Sequence, residues 1–163
     1  MSDELRVGIG FDAHALAPGR PLVLAGVIIP SAVGLVGHSD GDLVCHAATD
    51  ALLGAAGGAD IGERFGTDDP ALEGASSLGL LREVWSELSG QGWRLVNLDA
   101  VVILQEPRLA PHRAAMRSSL AGALDASVER VTVRASTTDR LGFAGRGEGA
   151  ACQAAALLAR AAE

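Results

Sequence analysis

Tyrosine is absent from this chain, and aromatic residues make up only 3% of it. A core with so few rings must rest on Ala, Val, Leu and Ile, which bury less area per residue than aromatic side chains do. Oligomerisation is one way for such a chain to bury more surface. Cysteine is scarce as well. Cys45 and Cys152 stand alone, without C-x-x-C spacing. They do not form the disulfide framework of a small secreted protein, and they read best as small buried hydrophobes. No basic run occurs, and 20 acidic against 13 basic residues give a formal net charge of -7. Nucleic acid is therefore not an expected partner, because phosphate contacts need clustered Lys and Arg. A small phosphate ester is not excluded, since metals and backbone N–H groups can hold one locally. No apolar stretch is long enough to span a bilayer, and Met1–Arg6 is short, acidic and without an apolar segment. The expectation is a cytoplasmic protein with no membrane partner.

What remains is an ordinary globular composition over 163 residues, enough for a single domain with one core. Leu5–Phe11 reads as a first strand and Leu22–Ile29 as a second strand or hairpin. Gly34–Gly41 is a Gly-rich loop. Asp40 or Asp42 then opens a helix in which Leu43, Ala47, Ala51 and Ala55 share a stripe, and Gly57-Gly58 ends it. Asp60–Gly74 is irregular. A second helix starts near Ser76, with Leu78, Leu81, Trp85 and Leu88 at helical spacing. Leu95–Leu104 is a strand, Pro107–Pro111 a loop, and Pro111 suits the first turn of a third helix. Val131–Ala135 alternates as a strand does. Gly142–Gly149 is a loop, and the Ala- and Leu-rich segment from about Glu148 to Ala162 reads as a last helix. The order predicts a two-layer α+β domain in which helices cover one face of a small mixed sheet. The other face needs cover too, and a partner subunit is the natural candidate.

Asp12 and His14 are two apart on an extended segment, so both side chains point to one side. His46 lies on the first helix between Asp42 and Asp50 at four-residue steps, a polar stripe beside the apolar ones. A surface salt-bridge stripe is the plain alternative, but that face offers His46 no cationic partner. A divalent metal explains why imidazole and carboxylate gather there. Asp12, His14 and His46 make three ligands with a fourth position open, the stoichiometry of catalytic zinc. The loop His38-Ser39-Asp40-Gly41-Asp42 sits at the same helix N-terminus, whose free N–H groups and positive dipole suit an anion. Ser39 or Asp40 could equally be a cap. Gly8-x-Gly10-x-x-Ala13 imitates a dinucleotide fingerprint but is followed by Pro18 and Pro21 instead of a helix. Gly145–Gly149 does not match Walker A spacing.

Several stretches in this order resemble the 2-C-methyl-D-erythritol 2,4-cyclodiphosphate synthase family: Arg6–His14, His38–Asp42, Thr49–Ala55, Asp60-Ile61-Gly62, and Leu141-Gly142-Phe143 with Gly145–Gly149. The likeness runs from about Arg6 to Ala159. It implies a homotrimer with active sites at subunit interfaces, acting on 4-diphosphocytidyl-2-C-methyl-D-erythritol 2-phosphate. Asp12, His14 and His46 match zinc ligands. His38 and Ser39 match contacts to the substrate's phosphate and erythritol part. Asp60, Ile61 and Gly62 match the segment holding ribose or methylerythritol, and Asp69 matches an acidic residue of a mobile loop. A cytidine pocket is implied by Leu104, Arg108, Leu109 and Ala110 with Ala135, Ser136, Thr137 and Thr138. Thr137 or Thr138 would bridge the diphosphate. Phe143, Arg146 and Glu148 match an axial cavity that binds isoprenoid diphosphates in some members; trimer packing and a salt-bridge network are their other role. Asp139 stands where the family usually has Glu, a ligand of a second cation, Mg2+ or Mn2+. It is one methylene shorter and could bind directly or through water. Thr67 replaces a common acidic residue. Asp42, one turn before His46, is expected to position the metal or the substrate. Two rival readings use the same residues: a zinc phosphoesterase that activates water, and a trimeric module that binds isoprenoid diphosphates without turning them over.

Overall fold

The protein is described by a computed structural model covering residues 3–66 and 69–162. Its chain begins with a long strand β1 (Asp3–Pro18), then a hairpin of β2 (Leu22–Leu24) and β3 (Val27–Ile29), and a short β4 (Val33–Leu35). Helices α1 (Leu43–Ala56), α2 (Ile61–Phe65) and α3 (Ser77–Gly90) follow. After them come β5 (Arg94–Ile103), α4 (Arg113–Ala123), β6 (Val131–Ser136), the single-turn α5 (Gly142–Gly145) and β7 (Gly149–Ala161). Five strands form one sheet in the order β4-β1-β7-β5-β6. Only β5 and β6 run parallel, so the sheet is mixed, as expected. The predicted hairpin turns on Ala25 and Gly26, both with positive φ, the backbone that a two-residue turn between twisted strands requires.

The last segment is the main correction. Gly149–Ala161 is a strand, not a helix. It is the middle of the sheet, paired with β1 on one side and β5 on the other. Alanine's helix preference is a fraction of a kcal/mol per residue, and two full ladders of hydrogen bonds with burial override it. Its alanines are there for size. Directly opposed residues share a face, and the rows Gly8–Ala156–Leu98 and Gly10–Ala154–Ala100 lie under α1. A Cβ on Gly8 would sit 2.0 Å from the Ala51 carbonyl oxygen, and one on Gly10 1.9 Å from that of Ala47. The helix backbone therefore rests directly on β1, and the stripe of Ala47, Ala51 and Ala55 is what permits the approach. Here α1, β1, β5 and β7 share one hydrophobic cluster with the buried sides of α3 and α4.

The opposite face of β1 is bare. Leu5, Val7, Ile9 and Phe11 alternate with the residues under α1 and are 60%, 70%, 72% and 61% exposed. Both cysteines are buried and free. Among the described residues, no helix is long and apolar enough to cross a membrane.

Candidate metal centre and nucleotide pocket

Close contact between α1 and β1 brings the two halves of the predicted triad together. Asp12 and His14 leave β1 on the helix side, and His46 comes down from the second turn of α1. The Asp12 Oδ2 atom lies 2.8 Å from His14 Nε2 and 2.9 Å from His46 Nδ1, while those two nitrogens are 3.4 Å apart. Each ring is held by its other nitrogen. His14 Nδ1 donates to the Val36 carbonyl at 2.7 Å. His46 Nε2 meets the Ser77 hydroxyl at 2.9 Å and that of Ser39 at 3.2 Å.

This wiring decides what the cluster can hold. A carbonyl can only accept, so His14 carries its proton on Nδ1 and a neutral ring turns the Nε2 lone pair inward. The Ser77 hydroxyl is spent on the Asp40 carboxylate at 2.5 Å, so His46 donates from Nε2 and its Nδ1 lone pair also faces inward. Two imidazole lone pairs and a carboxylate oxygen then meet within 3.4 Å. That arrangement needs a cation between them. Hydrogen bonding to Asp12 raises the His14 pKa against the opposing effect of burial. Burial works to raise the Asp12 carboxyl, but the hydrogen bonds from His14 and His46 outweigh it and bring it down to about 2. The donor set of two histidines and one carboxylate fits a divalent metal with a position left for water or substrate.

The triad opens into a cavity of about 250 Å³ whose wall also includes His38, Ser39, Ile61 and Gly62. Phe65, Leu72 and Leu80 give it an apolar side that the sequence did not reveal. Asp50, read from sequence as part of the polar stripe, accepts the Ile61 backbone N–H at 2.8 Å and so ties α2 to the metal helix. His38 donates to the Asp69 carbonyl at 2.7 Å. The Asp69 carboxylate caps a 3-10 turn through the Ala71 N–H, and that of Asp60 caps α2 through the Glu63 N–H. Thr67 lies outside the described residues.

Asp42 is not where a group acting on substrate would sit. It is fully buried and caps α1, accepting from the backbones of Val44, Cys45, Ala25 and Gly26 and from the Cys45 thiol. Its position one turn before His46 is that of a clamp between the hairpin and the helix. With no exposed atom, Asp42 can bear on the metal or the substrate only through the elements it clamps.

A second cavity, of about 280 Å³, gathers Leu104, Arg108, Leu109, Ala110, Ala135, Ser136 and Thr137. Arg113 joins them from the start of α4. The metal cavity and this one share no lining residue. Thr138 lies beside it and donates to the Leu141 carbonyl at 2.6 Å. Asp139 is exposed, with positive φ. Phe143 and Arg146 are exposed, and Arg146 pairs with Glu148 at 2.7 Å.

A model of the YgbB family matches residues 5–159. A 2-C-methyl-D-erythritol 2,4-cyclodiphosphate synthase of Pectobacterium atrosepticum is 53% identical over 156 residues, 96% of this chain and 94% of its own length. The chain belongs to this synthase family. The synthase of Azoarcus sp. is 52% identical over 99% of both chains. The synthase fold extends to solved structures. The bifunctional IspDF of Campylobacter jejuni superposes with a TM-score of 0.94 at 43% identity over 98% of this chain, which spans 43% of that longer one. The Plasmodium falciparum IspF–CDP complex gives 0.86 at 28% identity, over 99% of this chain and 100% of its own. As a member of this family the chain is an enzyme, a lyase of isoprenoid biosynthesis.

Proposed function

We propose that the chain converts 4-diphosphocytidyl-2-C-methyl-D-erythritol 2-phosphate to 2-C-methyl-D-erythritol 2,4-cyclodiphosphate and CMP, and that it does so as a cytoplasmic homotrimer with zinc on Asp12, His14 and His46. The observation that carries the reading is the convergence of three inward lone-pair donors, Asp12, His14 and His46, on a cavity flanked by His38 and Ser39. Relatives of about half-identical sequence bear the name of this synthase, and a solved relative holds CDP.

The reaction joins two anions. An oxygen of the 2-phosphate attacks the β-phosphorus, the bond from that phosphorus to the bridging oxygen breaks, and CMP leaves with the electron pair. When bound, zinc supplies positive charge for the diphosphate oxygens. Ser39 and His38 line the same cavity, and a phosphate there would take their hydroxyl and ring N–H in place of the Ser77 hydroxyl and the Asp69 carbonyl. Ile61 and Gly62 line the same cavity and would confine the erythritol part. Attack is intramolecular, so holding the folded substrate is a large share of catalysis. No side chain need act as nucleophile.

The cytidine end belongs in the second cavity, with Arg108 near the phosphates and the backbone of Leu109, Ala110, Ala135 and Ser136 around the base. Thr137 or Thr138 bridges the diphosphate, and Asp139 would hold the second cation, Mg2+ or Mn2+. Since the two cavities are separate in one chain, one subunit supplies the metal and its neighbour the nucleotide pocket. The bare row of Leu5, Val7, Ile9 and Phe11 supports this assembly, because four adjacent exposed apolar side chains call for a partner surface. In the trimer, Phe143 and Arg146 would border an axial cavity with an apolar wall and a cationic group, suited to an isoprenoid diphosphate.

Phosphorus NMR of the purified protein with the cytidyl substrate tests the reading. Zinc and magnesium should give cyclic diphosphate plus CMP, and chelator should stop the reaction. A linear phosphate product would identify a hydrolase instead.

A further inference from the structure

Ser77 and Asp40 belong to neither cavity wall, yet they terminate the hydrogen-bond chain that starts at His46. Ser77 is the first residue of α3 and only 1% exposed. Its hydroxyl lies 2.9 Å from His46 Nε2, 2.5 Å from Asp40 Oδ1 and 3.2 Å from the Ser39 hydroxyl. Asp40 stands in the loop before α1. Its carboxylate also accepts the Ser77 N–H at 3.0 Å and the Asp42 N–H at 3.1 Å.

A serine hydroxyl has one proton and two lone pairs. Next to a carboxylate, that proton goes to the carboxylate, which has none to give. Both lone pairs then face the other neighbours, and Ser77 accepts from His46 Nε2–H and from the Ser39 hydroxyl. The start of α3 is joined in this way to α1, 31 positions earlier at His46, and to the loop before it, 37 positions earlier at Asp40.

We propose that Asp40 and Ser77 are a positioning pair for the metal. Through Ser77, the Asp40 charge fixes the His46 tautomer and ring angle, so that the Nδ1 lone pair is already aimed at the ion. Histidine ligands commonly gain affinity from a carboxylate on the far ring nitrogen, and loss of that partner costs about 10- to 100-fold in metal binding. The difference here is a hydroxyl placed between the two, which lets one carboxylate orient both His46 and Ser39. The inference rests on the metal reading of Asp12, His14 and His46.

The test is zinc affinity, measured by competition with a chromogenic chelator on the full-length protein. Ser77→Ala keeps the backbone N–H to Asp40 and removes only the relay. Its zinc dissociation constant should rise about 10- to 100-fold. Asp40→Asn should weaken zinc binding in the same direction, and the double variant should be no weaker than Ser77→Ala alone, because both act along one chain. Thermal melting of the metal-free proteins separates this from a purely structural role, which would lower the midpoint and leave the zinc constant unchanged. Zinc constants of both single variants within about twofold of wild type would overturn the proposal while leaving the metal site intact. A wild-type protein that takes up no zinc would overturn the metal reading and this inference with it.

Discussion

The two faces of the sheet are built on opposite rules. Under α1, β1 has glycine at positions 8 and 10 and β7 has alanine at 154 and 156, so helix backbone and strand meet almost without side chains between them. On the other face the same strand carries Leu5, Val7, Ile9 and Phe11, all more than half exposed. The first face is closed by the chain itself. Its tight fit fixes the distance between Asp12 and His14 on the strand and His46 on the helix. The second face is open in the single chain, and in the proposed trimer it would meet another copy and bring a neighbour's nucleotide pocket to the metal. One strand would thus serve the internal and the external half of the proposed site.

Breaking the closed face should have the largest effect. Gly10→Val places a branched side chain where the Ala47 carbonyl already is, and should cost about 3 kcal/mol or more in unfolding free energy, read from a denaturant midpoint. A stable, zinc-loaded variant would show that the contact is looser than described. Asp42→Asn comes next. It keeps the shape but turns an amide group toward backbone donors, and about 1–3 kcal/mol should be lost. The open face should respond in another quantity. Ile9→Asp changes an exposed residue, so the subunit's own stability should move by only about 0.5 kcal/mol. Sedimentation should nevertheless show monomers in place of trimers, with turnover lost. An active monomer would separate the open face from the site.

The smallest effect is a pH dependence. The folded-state pKa of Asp12 is depressed from 3.8 to about 2, so the ionised carboxylate stabilises metal-free protein above about pH 4, and that contribution is lost as pH falls toward 2. Metal-free wild type should therefore lose melting temperature faster than Asp12→Asn between about pH 5 and about pH 2.5. Parallel curves would mean that Asp12 has no such partner.

The sequence made the metal triad legible because two short-range periodicities, two on a strand and four on a helix, each carried part of it. The segment Leu22–Ile29 was legible only as a strand or a hairpin, since Ala25-Gly26 is not a strong turn signal, and α1 was legible through its alanine stripe and Gly57-Gly58 stop. The central strand was not. An Ala- and Leu-rich run looks helical until its neighbours are known, and the reason for its small residues lies on α1, about a hundred positions away. Ser77 was hidden for a similar reason: a serine at a helix start looks like a cap, and only the fold brings it to His46 and Asp40. Asp42 was legible as a helix-opening residue with local donors at Val44 and Cys45, but the Ala25 and Gly26 donors come from a hairpin whose packing the sequence does not state.

Subunit complementation tests the split site most directly. One variant, His46→Ala, removes the metal half, and another, Ala135→Trp, fills the nucleotide pocket. Each homotrimer should be inactive. Co-expressed and purified through two different tags, mixed trimers should regain about a third of the wild-type turnover per site, because a ring of two kinds of subunit has a single interface with both halves intact. Mixed trimers that form and remain as inactive as either parent would contradict a site shared between copies.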